Sequence, residues 1–176
     1  MERAAFDSAA ERHARKVYTF AAYLLGDPHE AEDVAQEVLV KLWTRGGGVP
    51  TDRLEAWLMR VTRNACTDCL RKRKRTAEVI SIQRDDRPRA DRPSPEPSPE
   101  RMAAGSELGA RILGEMERLS TAARSVVILR EIQGFSYVEI AEIMNMSLDT
   151  VRVTLHRARR RLRESLKEVR SHVALG

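Results

Sequence analysis

Residues 134–163, GFSYVEIAEIMNMSLDTVRVTLHRARRRLR, restrict the fold more than any other stretch of this chain. Ser136 is a helix cap with Glu139 three residues on, the spacing of a capping box. Val138, Ile140, Ala141, Ile143 and Met144 give the short helix that follows a broad apolar side. Asn145 is one of the few non-glycine residues that tolerate positive φ, so a sharp turn is expected there. Ser147 caps a second helix, and Asp149 in its first turn suits the helix dipole. In that helix Val151, Leu155, Ala158 and Leu162 recur at spacings of four, three and four. Arg152, His156, Arg159 and Arg163 share a neighbouring face, which Arg157, Arg160 and Arg161 widen. Two short helices, a tight turn, small Ala141 at the expected crossing and a basic second helix predict a helix-turn-helix.

Charge supports a polyanionic partner through its placement more than its total. Lys and Arg number 31 against 26 acidic residues, a net charge of +5. The cations bunch at Arg71–Arg75 and Arg157–Arg163, whereas acids gather at Glu30–Glu37. No apolar run approaches the roughly 20 residues needed to span a bilayer, and no signal-peptide pattern is present, so a cytoplasmic location is expected. Cys66 and Cys69 form a lone CxxC without a second pair or nearby His, weak ground for zinc or redox chemistry. No nucleophile–base pair, phosphate loop or carboxylate dyad is present, so neither enzymatic activity, cofactor nor metal is expected.

Along the chain, Phe6, Ala10, His13, Val17, Phe20, Ala21, Leu24 and Leu25 predict an amphipathic helix ended by Gly26. Asp27 and Pro28 start another, with Ala31, Val34, Val38 and Leu42 buried and Glu30, Asp33, Gln36 and Glu37 on an acidic side bordering Leu39 and Trp43. Gly46, Gly47, Gly48 and Pro50 predict a non-helical loop, after which Asp52 caps a long helix with Glu55 three residues later. Leu54, Leu58, Val61 and Ala65 face inward there, while Arg60, Arg63, Asn64 and the run Arg71–Arg75 face out. Five adjacent cations need solvent or phosphates to offset their repulsion. From about Thr76 to Gly105 composition shifts to Ser, Asp, Glu, Arg and prolines 88, 93, 95, 97 and 99, a flexible linker. Beyond it Leu108, Ile112, Leu113, Met116 and Leu119 form one helix. Ser120 caps another that runs to Gln133, with Val126, Val127, Leu129 and Ile132 apolar and Gly134 as its stop. No strand pattern occurs, and the expected fold is all-α: a helical domain over 6–75, a linker over 76–106 and a helix-turn-helix domain over 107–170.

The helices HEAEDVAQEVLVKLW and AWLMRVTRNACTDCLRKRKR, then a Pro-rich linker, then the helix-turn-helix, occur here in one order. That order closely resembles the extracytoplasmic-function (ECF, group 4) sigma factors of the sigma-70 family, subunits that direct bacterial RNA polymerase to promoters. The resemblance implies that the two domains are sigma regions 2 and 4. It implies that Asp33, Gln36 and Glu37, buttressed by Trp43, dock on the clamp helices of core RNA polymerase. Carboxylates against a basic arm contribute steering and specificity more than bulk affinity. It implies that Arg60, Arg63 and Asn64, with Arg71 and Arg73 of the basic run, hold the −10 element of promoter DNA, and that the Gly-rich loop Gly46–Asp52 holds a flipped base. Thr150, Arg152, Val153, His156, Arg157 and Arg160 would read the −35 element from the major groove. Where the family often has Ser-Arg, this chain has Val153-Thr154, removing a cation and offering methyl groups that suit thymine. The family further implies sequestration by an anti-sigma factor and no small-molecule substrate.

Geometry constrains the linker. A coil of roughly 30 residues averages about 30 Å end to end and reaches about 100 Å stretched, whereas two DNA turns span about 70 Å. A linker threaded through the polymerase is expected. The alternative within DNA binding is a stand-alone helix-turn-helix transcription regulator, which binds its duplex without polymerase. A redox or zinc protein built on Cys66 and Cys69 is the alternative from another class.

Overall fold

Helix α1 (Arg3–Leu25) ends at Gly26, which adopts φ +69° and donates its N–H to the Ala22 carbonyl at 2.9 Å. A Cβ-bearing residue is strained there, which is why the glycine marks the corner. Asp27 caps α2 (Pro28–Arg45), its Oδ1 accepting from His29 N at 2.9 Å and Glu30 N at 3.1 Å, with Pro28 in the first helical position. The Gly-rich loop differs from the sequence expectation. Gly46–Gly48 and Thr51–Arg53 each close a single 3-10 turn through Val49 N to Gly46 O at 3.1 Å and Arg53 N to Pro50 O at 3.0 Å. One such turn needs only one hydrogen bond, so the glycines' low helix propensity does not forbid it. Asp52 therefore lies inside a turn rather than at a cap, and Glu55 instead pairs with Lys16 of α1.

Helix α3 (Leu54–Gln83) continues past the run Arg71–Arg75 to Gln83, beyond the expected start of the linker at Thr76. Ala77 and Glu78 are good helix formers, Glu78 lies 3.9 Å from Lys74 one turn back, and no proline intervenes before Pro88. The three helices pack pairwise around Val17, Phe20, Leu24, Val38, Leu42, Leu58 and Met59, all fully buried. Thr62 is buried as well, and its hydroxyl donates to the Leu58 carbonyl at 2.7 Å.

This computed structural model describes residues 2–83 and 107–173, all-helical and without strands among them; most of the expected linker, residues 84–106, lies outside the described residues, as does the Leu108 side chain. The chain divides into two compact units, Met1–Ser98 and Pro99–Gly176. In the second, α4 (Glu107–Glu117) is closed by Arg124, whose Nε and Nη2 donate to the Met116 and Glu117 carbonyls at 2.9 and 2.5 Å. Ser120 caps α5 (Thr121–Val127), accepting from Ala123 N at 3.2 Å. The sequence predicts one helix on to Gln133; instead Ile128–Ile132 widens into a π turn. Gln133 N donates to Ile128 O and Phe135 N to Leu129 O, both at 3.0 Å, and Gly134 turns at φ +79°. The wider turn leaves Leu129 and Phe135 both buried. Helices α6 (Tyr137–Met144) and α7 (Leu148–Val173) complete the unit, packed through Ile140, Ile143, Met144, Val151, Leu155 and Ala158.

Candidate functional site

Local hydrogen bonds build the helix-turn-helix as the sequence requires. Ser136 Oγ accepts from Glu139 N at 3.3 Å while Glu139 Oε2 accepts from Ser136 N at 2.7 Å, a complete capping box. Asn145 adopts φ +52°, and Met146 N donates to Ala141 O at 3.0 Å, reversing the chain. Ser147 Oγ then accepts from Thr150 N at 3.1 Å, with the two hydroxyls 2.7 Å apart. With one side of α7 buried, Thr150, Arg152, Val153, His156, Arg157 and Arg160 are all exposed on the rest of its surface. Among the described residues Arg152 and Arg160 make exposed contacts along their own helix, to Asp149 at 3.1 Å and Glu164 at 3.5 Å. Such pairs contribute little and exchange readily for a phosphate. Val153 is 48% exposed, a methyl-bearing patch among the cations.

Arg159 does not join that surface. Its Nε and Nη2 both reach Glu131 Oε1, at 2.9 and 2.5 Å. Val138 departs from expectation too, lying 68% exposed. It precedes Ile140 by two residues, about 200° around a helix, and so cannot share its buried side.

On α2, Ala31, Val34, Val38 and Leu42 are buried and Asp33, Gln36 and Glu37 exposed. Glu37 holds Lys41 at 2.6 Å. Trp43 is 44% exposed and meets Phe6 edge-on, ring centroids 5.2 Å apart, which fixes the indole at the end of this face. Val40, which sequence reasoning missed, is 62% exposed beside them. Its register was the available signal: it falls three residues after Glu37 and out of phase with Val34, Val38 and Leu42. Glu30 is absent from the open acidic face, because it turns to α3.

There the outward reading of Arg73 is corrected. Its Nε donates to Glu30 Oε1 at 2.8 Å, its Nη2 also meets Glu30, and its Nη1 donates to the Leu25 carbonyl at 3.2 Å. The Glu30 bond holds the Arg73 pKa above its ordinary value. Arg73 thus joins α3 to α2, where a carboxylate half shielded from water outcompetes solvent. Arg71 is exposed, with a 3.3 Å contact to Asp68. Asn64 is exposed, and its Oδ1 accepts from Arg63 Nη2 at 2.6 Å. Arg60 and Arg63 are half-buried, and Arg63 Nε has no hydrogen-bond partner among the described residues. Burial, then the Arg60 charge, lowers the Arg63 pKa. Two crowded guanidiniums gain most from an incoming anion.

The CxxC pair is unsuited to thiolate chemistry. Cys66 is buried and its thiol is pushed up, chiefly by that burial. Cys69 donates to Glu30 Oε2 at 3.2 Å, and burial followed by that bond pushes it up to about 11. Both stay protonated at neutral pH, whereas ligation and exchange need thiolate. Among the described residues no group of three His, Cys, Asp or Glu is placed to hold a metal, and no helix is long and apolar enough to cross a membrane.

Comparison with known proteins converges on these two units. Sigma-70 region 2 matches residues 9–76, and Sigma-70, region 4 matches residues 110–162. The chain is 33% identical over 169 residues to the ECF RNA polymerase sigma factor SigE of Mycolicibacterium smegmatis, covering 96% of this chain and 64% of that one. It therefore spans somewhat under two thirds of that relative. It is 37% identical over 148 residues to the RNA polymerase sigma-E factor of Streptomyces avermitilis, covering 84% and 76%. Among solved structures, the sigma factor RpoE in complex with the anti-sigma factor NepR from Bartonella quintana aligns with a TM-score of 0.71 at 28% identity, over 92% of this chain and 96% of that one.

Proposed function

The chain belongs to the sigma-70 family, and on that footing we infer that it is one of the ECF group, binding core RNA polymerase and directing initiation at promoters by recognising −10 and −35 elements. The observation that carries this reading is the capped helix-turn-helix with Arg152, Val153, His156, Arg157 and Arg160 all exposed on its second helix, as entry into a major groove requires. Thr150 lies at the N-terminal end of the reading helix, nearest the base edges. Val153 meets thymine methyls, and the arginines divide between guanine edges and phosphates.

In the first unit, Asp33, Gln36 and Glu37 form the polymerase-binding face, with Val40 as its apolar centre and Trp43 at its end. Arg60, Arg63, Asn64 and Arg71 contact the −10 element, while Arg73 acts through the fold by holding α3 on α2. Gly48 has open space around a built Cβ and no positive φ, so the fold does not demand glycine there. A bare backbone at that place suits close approach by a splayed base. The chain makes and breaks no bonds itself; it works in the cytoplasm, and an anti-sigma factor that covers these faces is the expected regulator.

Fluorescence anisotropy of a labelled promoter duplex tests this against the stand-alone regulator. Sequence-dependent binding is expected with core polymerase plus the chain, and not with the chain alone. Asp33→Lys with Glu37→Lys should abolish it, and Arg152→Ala should cost about 1–3 kcal/mol if its contact is a base edge. Tight, sequence-specific binding by the chain without polymerase would replace the sigma reading with the regulator.

A further inference from the structure

Arg159 lies seven residues after Arg152 and three after His156, on the helical stripe of the reading residues, yet it is turned away. Its guanidinium is held by two bonds to Glu131 Oε1, from the wide turn that precedes the motif. The neighbouring Arg130 grips the motif's other helix. It donates to the Phe135 carbonyl at 2.8 Å and lies 5.1 Å from the centre of the Tyr137 ring. Adjacent residues of the π turn therefore hold both helices of the reading motif, Arg130 the first and Glu131 the second. The side chains of Glu131 and Arg159 are 45% and 42% exposed, so their pair adds little to stability. Its effect is electrostatic: one cation is drawn off the exposed face of α7 by a carboxylate 28 residues earlier in the chain.

We propose that Glu131 is a positioning residue for −35 recognition, keeping Arg159 from the phosphate backbone so that the neighbouring side chains set sequence preference. Without Glu131, Arg159 keeps only its weaker hydrogen bond to Tyr137, is freed toward the stripe of Arg152 and His156 and adds a contact blind to sequence, because phosphate contacts carry no base information. The proposal rests on the sigma reading above.

The test uses holoenzyme, with labelled duplexes carrying a mapped promoter or the same promoter with its −35 element scrambled, titrated with salt. Glu131→Ala should steepen the slope of log K against log salt by about one unit. It should also tighten the scrambled duplex by about threefold or more, narrowing the ratio between the two duplexes. Arg159→Ala should leave the wild-type slope unchanged, and the double variant should return to it. Helix content by circular dichroism verifies folding, with Glu131→Gln as the milder variant. A Glu131 that merely stabilised the unit would leave the slope unmoved, and that result overturns the proposal. So does a flatter slope for Arg159→Ala, which would make Arg159 a direct DNA contact. If wild-type holoenzyme binds both duplexes equally, the sigma reading itself fails, and the proposal with it.

Discussion

His13 shows how a single buried side chain makes stability depend on pH. It is 7% exposed in α1, and its Nδ1 has no hydrogen-bond partner among the described residues. Burial lowers its pKa below the usual 6.5; Glu55 partly opposes this, while Arg12 and Lys16 reinforce it. Since the folded pKa is depressed, the unfolded chain takes up the proton first. Stability is therefore lost as pH falls below about 6.5, until the folded pKa is passed. Thermal unfolding between about pH 7.5 and 5.5 should show this decline, and His13→Gln should flatten it; an identical decline in the variant would remove His13 as its cause. The burial of His13 was legible, because it falls in helical register with Ala10, Val17 and Phe20. The role of Arg73 was not. Its partner Glu30 lies 43 residues earlier, and nothing in the run Arg71–Arg75 distinguishes the one cation that folds inward. Arg159 and Glu131 hid for the same reason, since periodicity reports a side chain's direction from its own axis and not what waits there.

At the level of elements, the caps at Gly26, Asp27, Ser120, Ser136, Asn145 and Ser147 occur where the sequence places them, and the one expected at Asp52 does not, because that residue is taken into a 3-10 turn. These depend on contacts within about four residues, which a sequence displays directly. The departures have other causes. The π turn at Ile128–Ile132 accompanies the burial of Leu129 and Phe135. The 3-10 turns at Gly46–Gly48 and Thr51–Arg53 and the extension of α3 to Gln83 rest on local hydrogen bonds and helix propensity too weak to read against the neighbouring glycines and the change in composition. Gly114 offers a test at this scale. It is exposed within α4, and nothing lies within 4 Å of a Cβ built on it. Gly114→Ala should therefore stabilise the second unit by about 0.5–1 kcal/mol through reduced unfolded-state entropy. Denaturant unfolding measures this, and a destabilised variant would contradict the placement of Gly114 in a regular helix.

Across the whole molecule, two helical units carry three exposed faces: an acidic one on α2, a cationic one on α3 and an arginine-rich one on α7. Family membership follows from their order, which the sequence displays even where individual contacts do not. The division of labour follows from charge. Acidic Asp33 and Glu37 suit a basic protein arm, while the neighbouring Arg60 and Arg63 and the arginines of α7 suit phosphate and base edges. On this reading the three faces act together to choose where transcription begins. Mapping the 5′ ends of transcripts made by core RNA polymerase, with and without the chain, tests it most directly. A discrete new set of start sites is expected, each preceded by two shared elements about two helical turns apart, and lost with Arg152→Ala or with Asp33→Lys and Glu37→Lys. Start sites identical to those of core polymerase alone would contradict it.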